Sequence, residues 1–160
     1  MSDQQLDVIV RRARNADLEG LVESSSALFT EDAGTRDPSV DVDWPRGFGH
    51  QDFAAGIDDP NRLLLVADHG GQVVGHLTAS VAEGSAKRPA RTATLVSLYL
   101  RPAHRRGGLG ARLVGQFLAW AKEAEAELAE VSAYSSNTDA ISFYERNGFT
   151  SQSVTLRTPL

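Results

Sequence analysis

Apolar and polar positions alternate over 6–13, "LDVIVRRA", the period of a half-buried strand. Asn15 then offers a helix cap, and Leu18, Leu21, Val22, Leu28 and Phe29 follow at helical spacing. The next thirty residues carry Pro38, Pro45, Gly34, Gly47 and Gly49, which predicts a loop with a short helix, long enough to be functional. From residue 61 two β-rich runs flank "HGG", a hairpin signal, and "TATLVSLYL" (92–100) is a third strand closed by Pro102. Helical period returns with Leu109, Leu113, Phe117, Ala121 and Ala124, with Trp120 beside the stripe. "AEVSAY" (129–134) reads as a short strand. "NTDAISFYERNG" reads as a helix capped by Asn137 or Thr138 and ended by a left-handed Gly148. "FTSQSVTLRT" (149–158) reads as a last strand. The order β-α-loop-β-β-β-α-β-α-β predicts an α/β fold, a mixed, mostly antiparallel sheet with helices on its faces. No linker or repeat divides the chain, so residues 1–160 are expected to form one domain.

Composition narrows the chemistry. There is no cysteine, which removes disulfides, thiolate metal sites and a cysteine nucleophile and fits a cytoplasmic protein. No apolar run is long enough to span a bilayer, and the first residues lack a basic region followed by a long apolar stretch, so neither membrane association nor a secretory signal is expected. The net charge of −5 hides a division: residues 15–60 hold eleven acids against Arg36 and Arg46, whereas 84–112 hold seven bases and no acid. Each segment could be a solvated face; together they suggest a bipolar site, with an anion at the second and a cation at the first. Net negative charge and the lack of a nucleic-acid motif argue against a nucleic-acid partner.

The stretch "RPAHRRGGLGARL" (101–113) lies between the third strand and the helix from Leu109. A helix N-terminus presents unpaired N–H groups and partial positive charge, and Gly107, Gly108 and Gly110 let the backbone curl around an oxyanion. Arg105 and Arg106 can add charge-assisted contacts. The physical reading is a pyrophosphate cradle, with a purely structural turn as the alternative that the glycine spacing alone also fits. It is not a Walker A loop, because Ala111-Arg112 stand where Lys-Ser/Thr belong, and it is not a dinucleotide fingerprint, because Leu113 stands where the third glycine belongs.

"YLRPAHRRGGLGARLV" resembles the acetyl-CoA-binding segment of the GNAT N-acetyltransferases, whose signature Arg/Gln-x-x-Gly-x-Gly/Ala is matched by Arg105, Gly108 and Gly110. "SSNTDAISFYERNGF" supplies the family's later Asn and Tyr as Asn137 and Tyr144, followed by Gly148-Phe149. The resemblance is tight over about 92–150. It implies the GNAT fold, with helices on both faces and central strands that splay. Main-chain atoms of Leu98, Tyr99 and Leu100 would pair with the pantetheine arm, and the Leu100 N–H would polarise the thioester carbonyl. Arg105, Arg106, Gly107, Gly108, Leu109, Gly110 and Ala111 would hold the pyrophosphate. Asn137 would bond the cofactor's amide region unless it is simply a helix cap, and Ala140 would leave room for its passage. Tyr144 would be the acid that meets the departing thiolate. The implied activity is direct acetyl transfer from acetyl-CoA to a small cationic amine or a peptide amine, with no metal. The alternative is a non-catalytic acyl-CoA-binding sensor. The general base is unassigned: the strand 92–97 carries no acid, and Glu83, His76 and the acids of 31–52 are the candidates. Trp44, Phe48 and Phe53 could line an acceptor pocket or plug the core, and His104 is expected to shape its loop. A homodimer is expected from the sheet edge left uncovered.

Overall fold

The computed structural model describes residues 7–160. Five strands form one sheet in the order β1 (Val8–Arg12), β2 (Arg62–His69), β3 (Gln72–Ala82), β4 (Thr92–Leu100) and β5 (Leu128–Val131). The first four pair antiparallel and β5 joins β4 in parallel, so the sheet is mixed, as expected. Of the strand expected over 6–13, Leu6 lies outside the described residues.

Period-two patterning on β2 serves both faces, because its residues are buried on each side. Leu63, Leu65 and Ala67 join Leu77, Leu95, Leu109, Leu113 and Phe117 in the larger core cluster. That cluster lies under α3 (Leu109–Glu123), whose apolar stripe carries Leu109, Leu113, Phe117 and Ala121. Leu64 and Val66 point the other way, joining Leu18, Leu21, Phe53 and Val73 in a cluster beneath α1 (Leu18–Leu28) and α2 (His50–Ile57).

The helical content of the segment after α1 exceeds the sequence reading. α1 runs without a break into a wide π-helical turn at Phe29–Ala33 and a last turn at Gly34–Arg36. Pro45 then sits at the first position of a second wide turn, Pro45–Gly49, that leads into α2, a place where its missing N–H costs nothing. Asn15 does not cap α1; it lies in a 3-10 turn closed by Asp17, whose carboxylate accepts the Arg14 N–H at 2.7 Å.

α4 (Thr138–Arg146) starts as expected, with Asn137 Oδ1 accepting the Ala140 N–H at 3.1 Å, and ends before Gly148 at φ 97°. The strand expected at 149–158 is absent: these residues form neither helix nor strand. Alternation needs a face to bury, and here Val154 and Leu156 are 79% and 91% exposed. The segment is instead drawn across to residues 37–39 by Arg157, which donates to Asp37 Oδ1 at 2.8 Å.

Candidate functional site

β4 and β5 stay together only over Thr92–Leu128 to Leu95–Val131, and beyond this β4 runs on paired with β3 alone. The irregularity between Thr78 and Ala79 leaves Val96 outside the β3 ladder and 64% exposed. Arg101 N–H donates to Val74 O at 2.9 Å, which fixes the alternation at the end of β4. Tyr99 opposite His76 therefore spends its main-chain groups on β3, while Leu98 and Leu100 turn theirs to the open side. Of the three residues expected to meet pantetheine, Leu98 and the Leu100 N–H thus face the open side, and Tyr99 is tied into the sheet.

The edge runs through a 3-10 turn at Pro102–His104 into the glycine loop. Gly108, at φ 84°, is the N-cap of α3, and no side chain caps that end; the first turn carries no acid. The first N–H returned to the helix is that of Arg112, to Gly108 O, so Leu109, Gly110 and Ala111 present N–H groups without helical partners. A Cβ at Gly110 would stand 3.0 and 3.1 Å from Phe143 ring carbons, so glycine lets α4 close over the cradle. Arg106 is exposed, in the left-handed region at φ 66°. These are residues that fit a pyrophosphate.

Arg105 does something else with its side chain. Its Nε donates to Leu100 O at 2.8 Å and its Nη2 to Glu31 Oε2 at 2.9 Å. The guanidinium lies 5.3 Å from the centroid of the Tyr99 ring, and the Tyr99 hydroxyl donates to the same Glu31 oxygen at 3.1 Å. Arg105, more than Tyr99, holds the Glu31 carboxyl below its usual pKa, against a smaller opposing effect of burial.

Glu31 belongs to the π-helical turn, and its neighbour Asp32 faces α4. Asp32 Oδ1 accepts from Arg36 Nε at 2.8 Å and from Asn137 Nδ2 at 3.1 Å. Asn137 therefore acts as a helix cap and also as a link to the turn. Tyr144 packs edge-on against Phe143 and Phe149, with centroids 5.2 and 5.8 Å apart. Burial first, and the charge of Asp32 second, push its phenol up to about 12. Asp37, a few residues on, accepts from Tyr134 at 3.1 Å and from Arg157. Hydrogen bonds from Ser39, then from Arg157, hold its carboxyl far below the usual range.

The other candidate bases sit elsewhere. Glu83 pairs with Arg91 past the Ala82–Thr92 end of the β3–β4 ladder, the opposite end from Leu100. His76 is fully buried, with Nδ1 2.5 Å from Ser24 Oγ and Nε2 3.1 Å from Ser97 Oγ; Ser97 meets Thr78 at 2.6 Å. Burial lowers its pKa to about 4, so the ring is a neutral tie between α1, β3 and β4. Phe53 is core, Trp44 stacks on Phe29 at 5.9 Å, and Phe48 is exposed. His104 is buried edge-on to His69 at 5.5 Å, with neither ring nitrogen bonded. Ala140 is half-buried in the first turn of α4. Among the described residues no group of three or more His, Cys, Asp or Glu is placed to hold a metal ion, and no helix is long and apolar enough to cross a membrane.

Residues 25–149 match the model of the acetyltransferase (GNAT) family. The chain belongs to that family. An uncharacterized N-acetyltransferase of Mycobacterium bovis is 33% identical over 97 residues, as is one from Mycobacterium tuberculosis; the match spans 61% of this chain and 58% of each relative's length. Among solved structures, a transcriptional regulator from Bacillus halodurans is similar at TM-score 0.74 and 24% identity, covering 96% of this chain and 99% of that one. An aminoglycoside N-acetyltransferase in complex with CoA gives 0.76 at 14% identity, covering 96% and 94%. An aminoglycoside 6'-N-acetyltransferase from Acinetobacter baumannii gives 0.72 at 18%, covering 96% and 99%. At these identities the structures establish the shared GNAT fold.

Proposed function

We propose that the chain is a single-domain N-acetyltransferase that moves the acetyl group of acetyl-CoA directly to a cationic amine. The observation that carries this reading is the free edge of β4 at Leu98 and Leu100 running into the uncapped N-terminus of α3. An extended pantetheine amide chain suits the first and a pyrophosphate the second. The N–H groups of Leu109, Gly110 and Ala111 bind phosphate oxygens, with Arg106 adding charge; Leu98 aligns the arm and the Leu100 N–H meets the thioester oxygen as it gains negative charge. The ammonium first gives a proton to solvent; the free amine then attacks the carbonyl carbon, the new C–N bond forms, the C–S bond breaks, and the electron pair leaves on sulfur. In this reading Tyr144 is the residue that meets that sulfur. A phenol at about 12 does not surrender its proton to a thiolate of about 8.5, so Tyr144 stabilises the leaving group as a hydrogen-bond donor. Glu31 and Asp32 line the side from which a cationic amine would arrive, and the amine's surplus proton passes to solvent.

The supporting test is CoA release from acetyl-CoA, followed with a thiol-reactive dye across a panel of amines. With no cysteine in the chain, the dye reads only the product thiol. Release that depends on a cationic amine, and that falls in Tyr144→Phe, supports the reading. Acetyl-CoA binding without release for any amine would instead support an acyl-CoA sensor.

A further inference from the structure

Arg105 opens the glycine loop, yet its guanidinium is committed away from it. Nε is held by the Leu100 carbonyl and Nη2 by both Glu31 oxygens, at 2.8 and 2.9 Å. A residue placed to lend charge to pyrophosphate would keep that charge free; here a carboxylate 74 positions away in sequence already neutralises it. Tyr99, 7% exposed and paired with β3, gives the ion pair a rigid floor and adds its own hydroxyl to Glu31. The three side chains thus join two things that transfer must align. One is the end of β4, where the Leu100 main chain faces the donor; the other is the turn carrying Glu31, which faces the acceptor.

We propose that Arg105 is a positioning residue for acetyl transfer, acting through the Leu100 carbonyl and the Glu31 carboxylate rather than as a pyrophosphate ligand. This rests on the reading of the site as an acetyltransferase. With its carbonyl occupied, Leu100 presents its N–H as the one main-chain group free at that point of the edge. With its carboxylate anchored, Glu31 meets an approaching ammonium at a fixed distance from the thioester. Both effects are of alignment, where displacements of about 1 Å can cost about 100-fold in rate.

The experiment compares two donors that differ in the pyrophosphate: acetyl-CoA and S-acetylpantetheine, which has none. In Arg105→Ala, kcat is expected to fall about tenfold or more with both donors by the same factor, while the dissociation constant of acetyl-CoA, measured by calorimetry without amine, moves less than about threefold. Arg105→Lys keeps the charge but loses the fork, and should resemble Arg105→Ala rather than wild type. Glu31→Gln should raise the KM of the amine, and the double variant should be little worse than Arg105→Ala alone, since both break one unit. Thermal unfolding confirms that each variant is folded. Weakened acetyl-CoA binding with normal turnover of S-acetylpantetheine would make Arg105 a phosphate ligand and overturn the proposal. Unchanged kcat with both donors would overturn it too. A wild-type protein that neither binds acetyl-CoA nor acetylates any amine would remove the functional reading itself, and this inference with it.

Discussion

On the proposed donor side of the site, from Leu98 to Ala111, the groups on offer are backbone: the open edge of β4, then the unpaired N–H groups at the start of α3. On the acceptor side, the turn Phe29–Ala33 and the loop behind it offer side chains, with Glu31, Asp32 and Asp37 each fixed by partners far away in sequence. The difference separates what the fold supplies from what individual residues choose. A backbone cradle tolerates many side chains and demands only glycine where the chain must turn or approach closely. An acceptor wall of carboxylates depends on every residue in it.

The largest expected effect falls on neither side but in the buried tie between α1, β3 and β4 that holds both. His76 stays neutral in the folded state, with a pKa of about 4, but takes a proton below about 6.5 when the chain unfolds. Unfolding therefore binds a proton between those values, so stability is flat above pH 6.5 and declines by about 3 kcal/mol as pH falls toward 4. Denaturant titrations across that range should show the slope, and His76→Gln should reduce it, leaving the part due to His104, whose pKa burial also lowers. Next, Tyr144→Phe should lower kcat about 100-fold while leaving acetyl-CoA affinity intact, read from steady-state rates beside calorimetry. Because the phenol holds its proton to about 12, no alkaline loss of activity below that pH should trace to Tyr144. Third, Gly110→Val should weaken acetyl-CoA about tenfold, since a Cβ there presses Phe143 and α4 away from the cradle. It should leave the amine KM alone, which would sharpen the division between the two sides. The smallest effect is expected from Asp32→Asn. Removing that charge should lower the Tyr144 pKa, seen by ultraviolet titration against Tyr144→Phe.

The same division governs what could be read from sequence. Glycine at 107, 108 and 110 after a strand and before an amphipathic helix is a local pattern, and the cradle follows from it. Asn137 and Gly148 likewise mark helix ends by local chemistry, and the structure places those ends there. Long-range pairs leave no such trace. Nothing near Glu31 announces Arg105, and nothing near Asp37 announces Tyr134 or Arg157. The uneven charge of 15–60 and 84–112 suggested a site for one anion and one cation, whereas Glu31 and Arg105, one from each segment, pair with each other. The proline and glycine signals at 34–49 pointed to a loop with a short helix; residues 37–43 around Pro38 are loop, but wide helical turns took in the rest, because Pro45 needs no N–H at a helix start. The segment 149–158 shows the reverse error. Its alternation is a strand pattern, but pairing is a property of two segments, and among the described residues no neighbour pairs with it.

The most direct test of the account is calorimetric titration of acetyl-CoA into the wild-type protein and into Gly110→Val, both without amine. Saturable one-to-one binding to wild type, about tenfold weaker in the variant, is the result expected if backbone at the start of α3 holds the donor. No binding to wild type, or equal binding to both proteins, would contradict it.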